Sequence, residues 1–167
     1  SVISEVSSAP QVTKLETFRL PDPRSVPPFS HRKLGEVELG HGERLFATRF
    51  DYPRAYVVTF LQMDPLWVVD LSEPARPKVS GELEVPGWST YIHPRGAQLV
   101  AVGVETNRTT VSLFDVADPG HPALLSRAQL GNQHSSSEAN SDEKAFIVLE
   151  DAGLILLPVQ GYTTGGW

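Results

Sequence analysis

The sequence contains no cysteine and one methionine among 167 residues. Disulfide bonds, thiolate metal sites and thiol catalysis are therefore excluded. No apolar run approaches the ~18 residues that carry a helix across a bilayer, so membrane insertion is not expected. Positive charge is scarce: 14 Lys and Arg face 20 Asp and Glu, a formal charge of −6. Phosphate binding needs a basic face, which argues against nucleic acid as a partner. The first 20 residues lack the basic-then-apolar order of a signal peptide. No apolar stripe of helical period extends over ten residues or more.

What the sequence does have is punctuation. Fourteen prolines and 13 glycines divide short runs of β-type residues. Residues 44–50, 55–61, 66–71 and 78–85 are such runs. Asp51-Tyr52-Pro53, Met63-Asp64-Pro65 and Ser72-Glu73-Pro74 stand between them. Breakers at roughly ten-residue spacing mark an all-β chain.

The runs also repeat. Leu66-Trp67-Val68-Val69-Asp70-Leu71-Ser72-Glu73-Pro74 lies over Val111-Ser112-Leu113-Phe114-Asp115-Val116-Ala117-Asp118-Pro119 at an offset of 45. Pro77 and Pro122 coincide at the same offset. Leu83 and Val85 map onto Ala128 and Leu130. Glu36-Val37-Glu38-Leu39 echoes Glu82-Leu83-Glu84-Val85 at an offset of 46. Another copy begins at Ala145-Phe146-Ile147-Val148-Leu149. A period near 45 with four short strands is the size of a propeller blade, about 40 to 50 residues. Helical repeats of that period would need amphipathic helices, and leucine-rich repeats are shorter.

The fold class expected is all-β, built from β-propeller blades of four antiparallel strands. Residues 1–11 form a linker or disordered terminus, 12–43 a partial blade, 44–87 and 88–131 complete blades, 132–160 a second partial blade and 161–167 a truncated loop. That amounts to about three blade equivalents, below the usual four. An incomplete ring, or a fragment of a larger propeller, is expected.

The turn Asp-x-x-x-Pro-x-x-Pro has a structural reading. Asp70 and Asp115 end a strand and accept hydrogen bonds from turn N–H groups. Pro74, Pro77, Pro119 and Pro122 fix φ and donate nothing, so strand pairing stops there.

These residues carry a resemblance. The stretch from Tyr56 to Pro94, including Trp67-Val68-Val69-Asp70-Leu71-Ser72-Glu73-Pro74 and Trp88-Ser89-Thr90-Tyr91-Ile92-His93-Pro94, resembles a prokaryotic family of secreted β-propeller domains. Ser112-Leu113-Phe114-Asp115 and Ser137-Glu138-Ala139 extend it, so that it runs over residues 34–159. That family is distantly related to WD-repeat propellers and shares no catalytic set. The resemblance implies the fold and an extracytoplasmic or secreted location.

Candidate site residues are few. Trp88 and Tyr91 follow Pro86-Gly87 at the start of an inner strand, where a face of the propeller is near. His93 precedes a proline at a strand end. Ser137, Glu138 and Asp142 lie in the chemically dense stretch 134–143, with residues 136–139 expected as an innermost strand at the channel. The five histidines lack the spacing of a zinc site. No Gly-x-Ser-x-Gly elbow surrounds the serines, and the carboxylates lack calcium-loop spacing. No catalytic residue, metal or cofactor is implied. The reading that follows is a non-enzymatic binding or scaffold module that contacts a protein or other extracellular ligand through a propeller face. Its partner is a protein, or a second chain that completes the ring. Two alternatives stand beside it: an enzyme such as a hydrolase with its site at the channel, using His93, Ser137, Glu138 and Asp142, and a purely structural piece of a larger propeller.

Overall fold

The computed structural model describes residues 12–20, 24, 32–60, 64–131 and 134–161. The terminal segments 1–11 and 162–167 lie outside the described residues. Two four-stranded antiparallel sheets form the body. The first holds β3 (Arg44–Asp51), β4 (Arg54–Phe60), β5 (Asp64–Asp70) and β6 (Lys78–Val85), paired in that order. The second holds β7 (Trp88–Arg95), β8 (Gln98–Glu105), β9 (Arg108–Asp115) and β10 (Ala123–Gln129), again in chain order. They are two blades of the same meander. Before them, β1 (Val12–Arg19) pairs with β2 (Arg32–His41). After them, β12 (Ile147–Leu149) pairs with β13 (Leu154–Leu156), and β11 (Ser135–Ser136) pairs with β14 (Gln160–Gly161). The described strands do not close a ring.

The strands are β because of their residues and their position. In β4 the run Ala55, Tyr56, Val57, Val58 and Thr59 is buried throughout. Both faces are covered, so the apolar run is continuous rather than alternating. Alternation reappears in what each residue touches. Tyr56 and Val58 join a cluster with Ile92, Leu99, Ala101, Phe114 and Val116 of the second blade. Ala55 and Val57 join Leu15 and Leu39 of the preceding hairpin. In β8 the pattern recurs: Leu99 and Ala101 face the first blade, while Val100 and Val102 meet Ala139 and Phe146 beyond. Each blade is thus a slab glued on both faces, and the blades stack.

The turns hold the register. Asp70 Oδ1 accepts from the Ser72 N–H at 2.8 Å, and Asp115 Oδ1 from the Ala117 N–H at 2.9 Å. Asp118 Oδ1 accepts from the Gly120 N–H at 2.9 Å. Thr106 and Asn107 take φ of 50° and 60° in the two-residue turn between β8 and β9, the conformation a tight hairpin needs.

The Asp/Pro turns also join blade to blade. A Cβ on Gly35, in β2, would sit 2.6 Å from the Ala75 carbonyl oxygen and 2.7 Å from Pro77 Cδ. A Cβ on Gly81, in β6, would meet the Pro119 carbonyl and lie 2.9 Å from Pro122 Cδ. In both cases the turn of one blade rests on a glycine in the outer strand of the blade before it. Thr17 Oγ1 donates to the Pro74 carbonyl, and Arg54 Nη1 to the Val116 carbonyl at 2.7 Å. The turns therefore act as latches between neighbours.

The latch aspartates tie stability to pH. Hydrogen bonds from the Ser72 side chain and backbone, with Lys78 beside it, hold the Asp70 carboxyl below its usual value. The His121 side chain and the Gly120 N–H do the same for Asp118. A carboxyl whose folded value is depressed stabilises the fold above its unfolded pKa, about 3.9, and that contribution is lost as pH falls through the folded value. Melting temperature is expected to fall on acidification from about pH 5 to pH 2, and to fall less in Asp70→Ala. Calorimetry of the two proteins across that range measures the difference.

Candidate functional site

The inner strands β3 and β7 lie side by side, and a short 3₁₀ turn, Glu138–Asn140, follows beyond them. Between them runs a groove of about 270 Å³ lined by Phe46, Thr48, Thr90, Tyr91, Asn140 and Glu143, with Ala47, Ile92 and Ala139 at its floor. The lining is mixed: hydroxyls, an amide, aromatic rings and one carboxylate. Asn140 Nδ2 donates to Thr109 Oγ1 at 3.2 Å, while its Oδ1 is buried without a partner among the described residues.

Tyr91 is the best-supported side chain of the groove. Its ring meets Phe146 edge-on at 5.2 Å between centroids, and the Arg49 guanidinium lies over the ring, 5.9 Å from its centroid. An aromatic ring fixed edge-on by one neighbour and capped by a cation is held rigidly for contact. Next to it, His93 stacks edge-on to Phe146 at 6.5 Å, and its Nε2 lies 3.7 Å from Glu150 Oε1. The backbone of Trp88 opens β7, opposite Val104. Its side chain lies outside the described residues.

The serine-rich stretch behaves differently from expectation. Residues 136–139 do not form an innermost strand. Ser135 and Ser136 make a two-residue bridge to Gly161 and Gln160. Ser137 then caps the 3₁₀ turn, accepting from the Ala139 N–H at 3.1 Å and donating to the Pro158 carbonyl at 2.6 Å. Asp142 caps the next turn, Glu143–Ala145, by accepting from the Lys144 N–H at 2.9 Å. Short polar side chains that bond their own backbone compete with sheet pairing, and here they prevail. Glu138 is the exposed first residue of its turn. The Asp142 N–H donates to the Glu138 carbonyl at 2.8 Å, but among the described residues no side-chain hydrogen bond or ion pair joins any two of His93, Ser137, Glu138 and Asp142. No three His, Asp or Glu among the described residues come together as a metal site. Ser137→Ala removes both cap bonds. It is expected to cost about 1 kcal/mol in urea denaturation.

Among the described residues one carboxyl shifts upward. Glu82, on the outer strand β6, is pushed above its usual value by burial first and then by Glu84 and Glu43. It belongs to the outer edge of the first blade, away from the groove. Arg49, Phe146 and Glu150, which back the site, carry no signal in the sequence that ties them to Tyr91 and His93: the contacting pairs lie 42 to 57 positions apart and meet because the blades stack.

Four-stranded meanders stacked face to face, each latched to the one before, define the architecture. The sequence profile of the Beta propeller domain family matches residues 32–167. The chain belongs to that family. An uncharacterised protein of Archaeoglobus fulgidus is 39% identical over 127 residues, 75% of this chain and 20% of the relative. An uncharacterised protein of Methanocaldococcus jannaschii is 38% identical over 126 residues, 74% of this chain and 20% of the relative. This Beta propeller domain chain therefore spans about a fifth of the length of the curated relatives it matches. No helix among its described residues is long and apolar enough to cross a membrane.

Proposed function

We propose that this Beta propeller domain is a non-enzymatic binding module of an extracytoplasmic protein, and that it grips a protein partner at the groove between β3, β7 and the Glu138–Asn140 turn. The observation that carries this reading is the setting of Tyr91. A rigid, partly exposed aromatic ring backed by Phe146 and capped by Arg49 borders a groove of hydroxyl and amide groups. Tyrosine and arginine are the side chains that most often dominate protein interfaces. The candidate acids, bases and nucleophiles are instead occupied as turn caps or lie apart. Propeller faces used for partner binding are an analogy of fold, and they lend weight only beside that geometry.

A photo-cross-linking residue placed at Thr90, in the groove, tests it. With the secreted fraction of the host, one discrete protein adduct is expected. Arg49→Ala and Tyr91→Ala are expected to weaken its formation about tenfold or more, as for interface anchors worth over 1.4 kcal/mol. No adduct, together with hydrolytic turnover that His93→Ala abolishes, would favour the enzyme instead.

A further inference from the structure

One sequence motif has no part in the groove or in the latches. Asn107-Arg108-Thr109 is an Asn-x-Thr triplet without proline at its centre. No other asparagine of the chain is followed two residues later by Ser or Thr. In a chain that leaves the cytoplasm, that triplet is the acceptor sequence for an N-linked sugar.

The fold displays it at a hairpin tip. Thr106 and Asn107 make the two-residue turn between β8 and β9, and Asn107 is exposed. Its carbonyl accepts from the Ser135 N–H at 3.2 Å, which holds the backbone in place. Its side-chain amide has no partner among the described residues. Arg108 is drawn away from it: Nη1 donates to Gln129 Oε1 at 2.8 Å and Nη2 to the Gly131 carbonyl at 2.7 Å. Turn chemistry accounts for asparagine at a positive φ. Thr106 takes φ of 50° in the same turn, so a left-handed position here does not demand asparagine.

Two further features suit a sugar. Asn107 borders a hollow of about 210 Å³ whose walls include His134, Ser136 and Gln160, all exposed. An imidazole, a hydroxyl and an amide are donors and acceptors for sugar hydroxyls. The turn also lies at the far end of the blade from the Asp/Pro turns, since β9 runs from Arg108 to Asp115. A bulky adduct there presses on no latch.

We propose that Asn107 is a glycosylation site, which carries an oligosaccharide whose first sugar rests in the hollow beside His134, Ser136 and Gln160. The inference rests on the extracytoplasmic location proposed above. The donor is a lipid-linked oligosaccharide and the catalyst a membrane transferase. Asn107 Nδ2 bonds to the anomeric carbon of the sugar. The bond from that carbon to the phosphate oxygen breaks, its electron pair leaves with the lipid phosphate, and one amide proton passes to a base of the transferase. Thr109, whose hydroxyl completes the triplet, is 0% exposed in the fold and accepts from Asn140 Nδ2 at 3.2 Å. Transfer therefore precedes the closing of β9 over that hydroxyl.

The test is mass spectrometry of the full-length protein recovered from its host, in cytoplasmic and extracytoplasmic fractions. Proteolytic peptides containing Asn107 are fragmented by electron transfer, which keeps the sugar on its residue. Peptides from the extracytoplasmic protein are expected to carry hexose or N-acetylhexosamine mass on Asn107. Asn107→Asp tolerates the positive φ, and it is expected to lose that mass. Thr109→Val loses it as well, whereas Thr109→Ser keeps it. Extracytoplasmic protein with a bare Asn107 overturns the inference and leaves the location standing. A sugar on Asn107 that persists in Thr109→Val also overturns it, because the triplet is then not what is read. Protein confined to the cytoplasm overturns both the location and the inference.

Discussion

Phe114→Ala is expected to destabilise the chain by about 3–5 kcal/mol, the range for removing a buried phenyl ring from a core. Phe114 is 2% exposed and belongs to the second blade, yet Tyr56, Val58, Leu66 and Val68 of the first blade share its cluster. The cluster already borders a small gap of about 10 Å³. Deleting the ring enlarges that gap, because β-sheet walls pinned by ladders on both sides relax little. The loss is therefore felt between blades as well as within one. At roughly 2–4 °C per kcal/mol for a domain of this size, melting falls by about 10 °C. A loss below about 1 kcal/mol in urea denaturation would mean that the blades do not share this core.

Gly81→Ala is the second large effect. A methyl group on Gly81 collides with the Pro119 carbonyl and presses on Pro122 Cδ. Both belong to backbone or ring atoms, which cannot swing aside as a flexible side-chain tip does. Overpacking of this kind costs about 1–3 kcal/mol. The expected result is a loss of about 2–3 kcal/mol, with the second blade's turn lifted from β6. The opposing gain in alanine's favour, from stiffening the unfolded chain, is smaller at about 0.4–1 kcal/mol. The partner change Pro122→Ala, by opening space, is expected to recover part of the loss when combined with Gly81→Ala. A double-mutant cycle measures that coupling.

The architecture was legible because it is repeated. Asp70 and Asp115 with their prolines punctuate the chain at one period, and apolar runs keep register between them. Two signals were available and less readable. Gly35 and Gly81 are equivalent in the repeat, but the atoms that require glycine there come from turns about 40 residues further on. Tyr91 and His93 stood out in the sequence, whereas Phe146, Glu150 and Arg49, which position them, come from other blades. The stretch around Ser137 misled for a local reason. Small residues suit an inner strand, but Ser137 and Asp142 bond to N–H groups two residues ahead and wind the chain into 3₁₀ turns.

The blade stack itself is tested most directly by native-state hydrogen exchange read residue by residue. The central strands β4, β5, β8 and β9 are covered on both faces, and their amides are expected to exchange last and together, through one opening that spans both blades. Amides of β12 and β13, with exposed leucines on a two-stranded sheet, are expected to exchange far sooner. Separate openings for the first and second blades, or protection of the β12–β13 hairpin equal to that of β4, would contradict the latched stack.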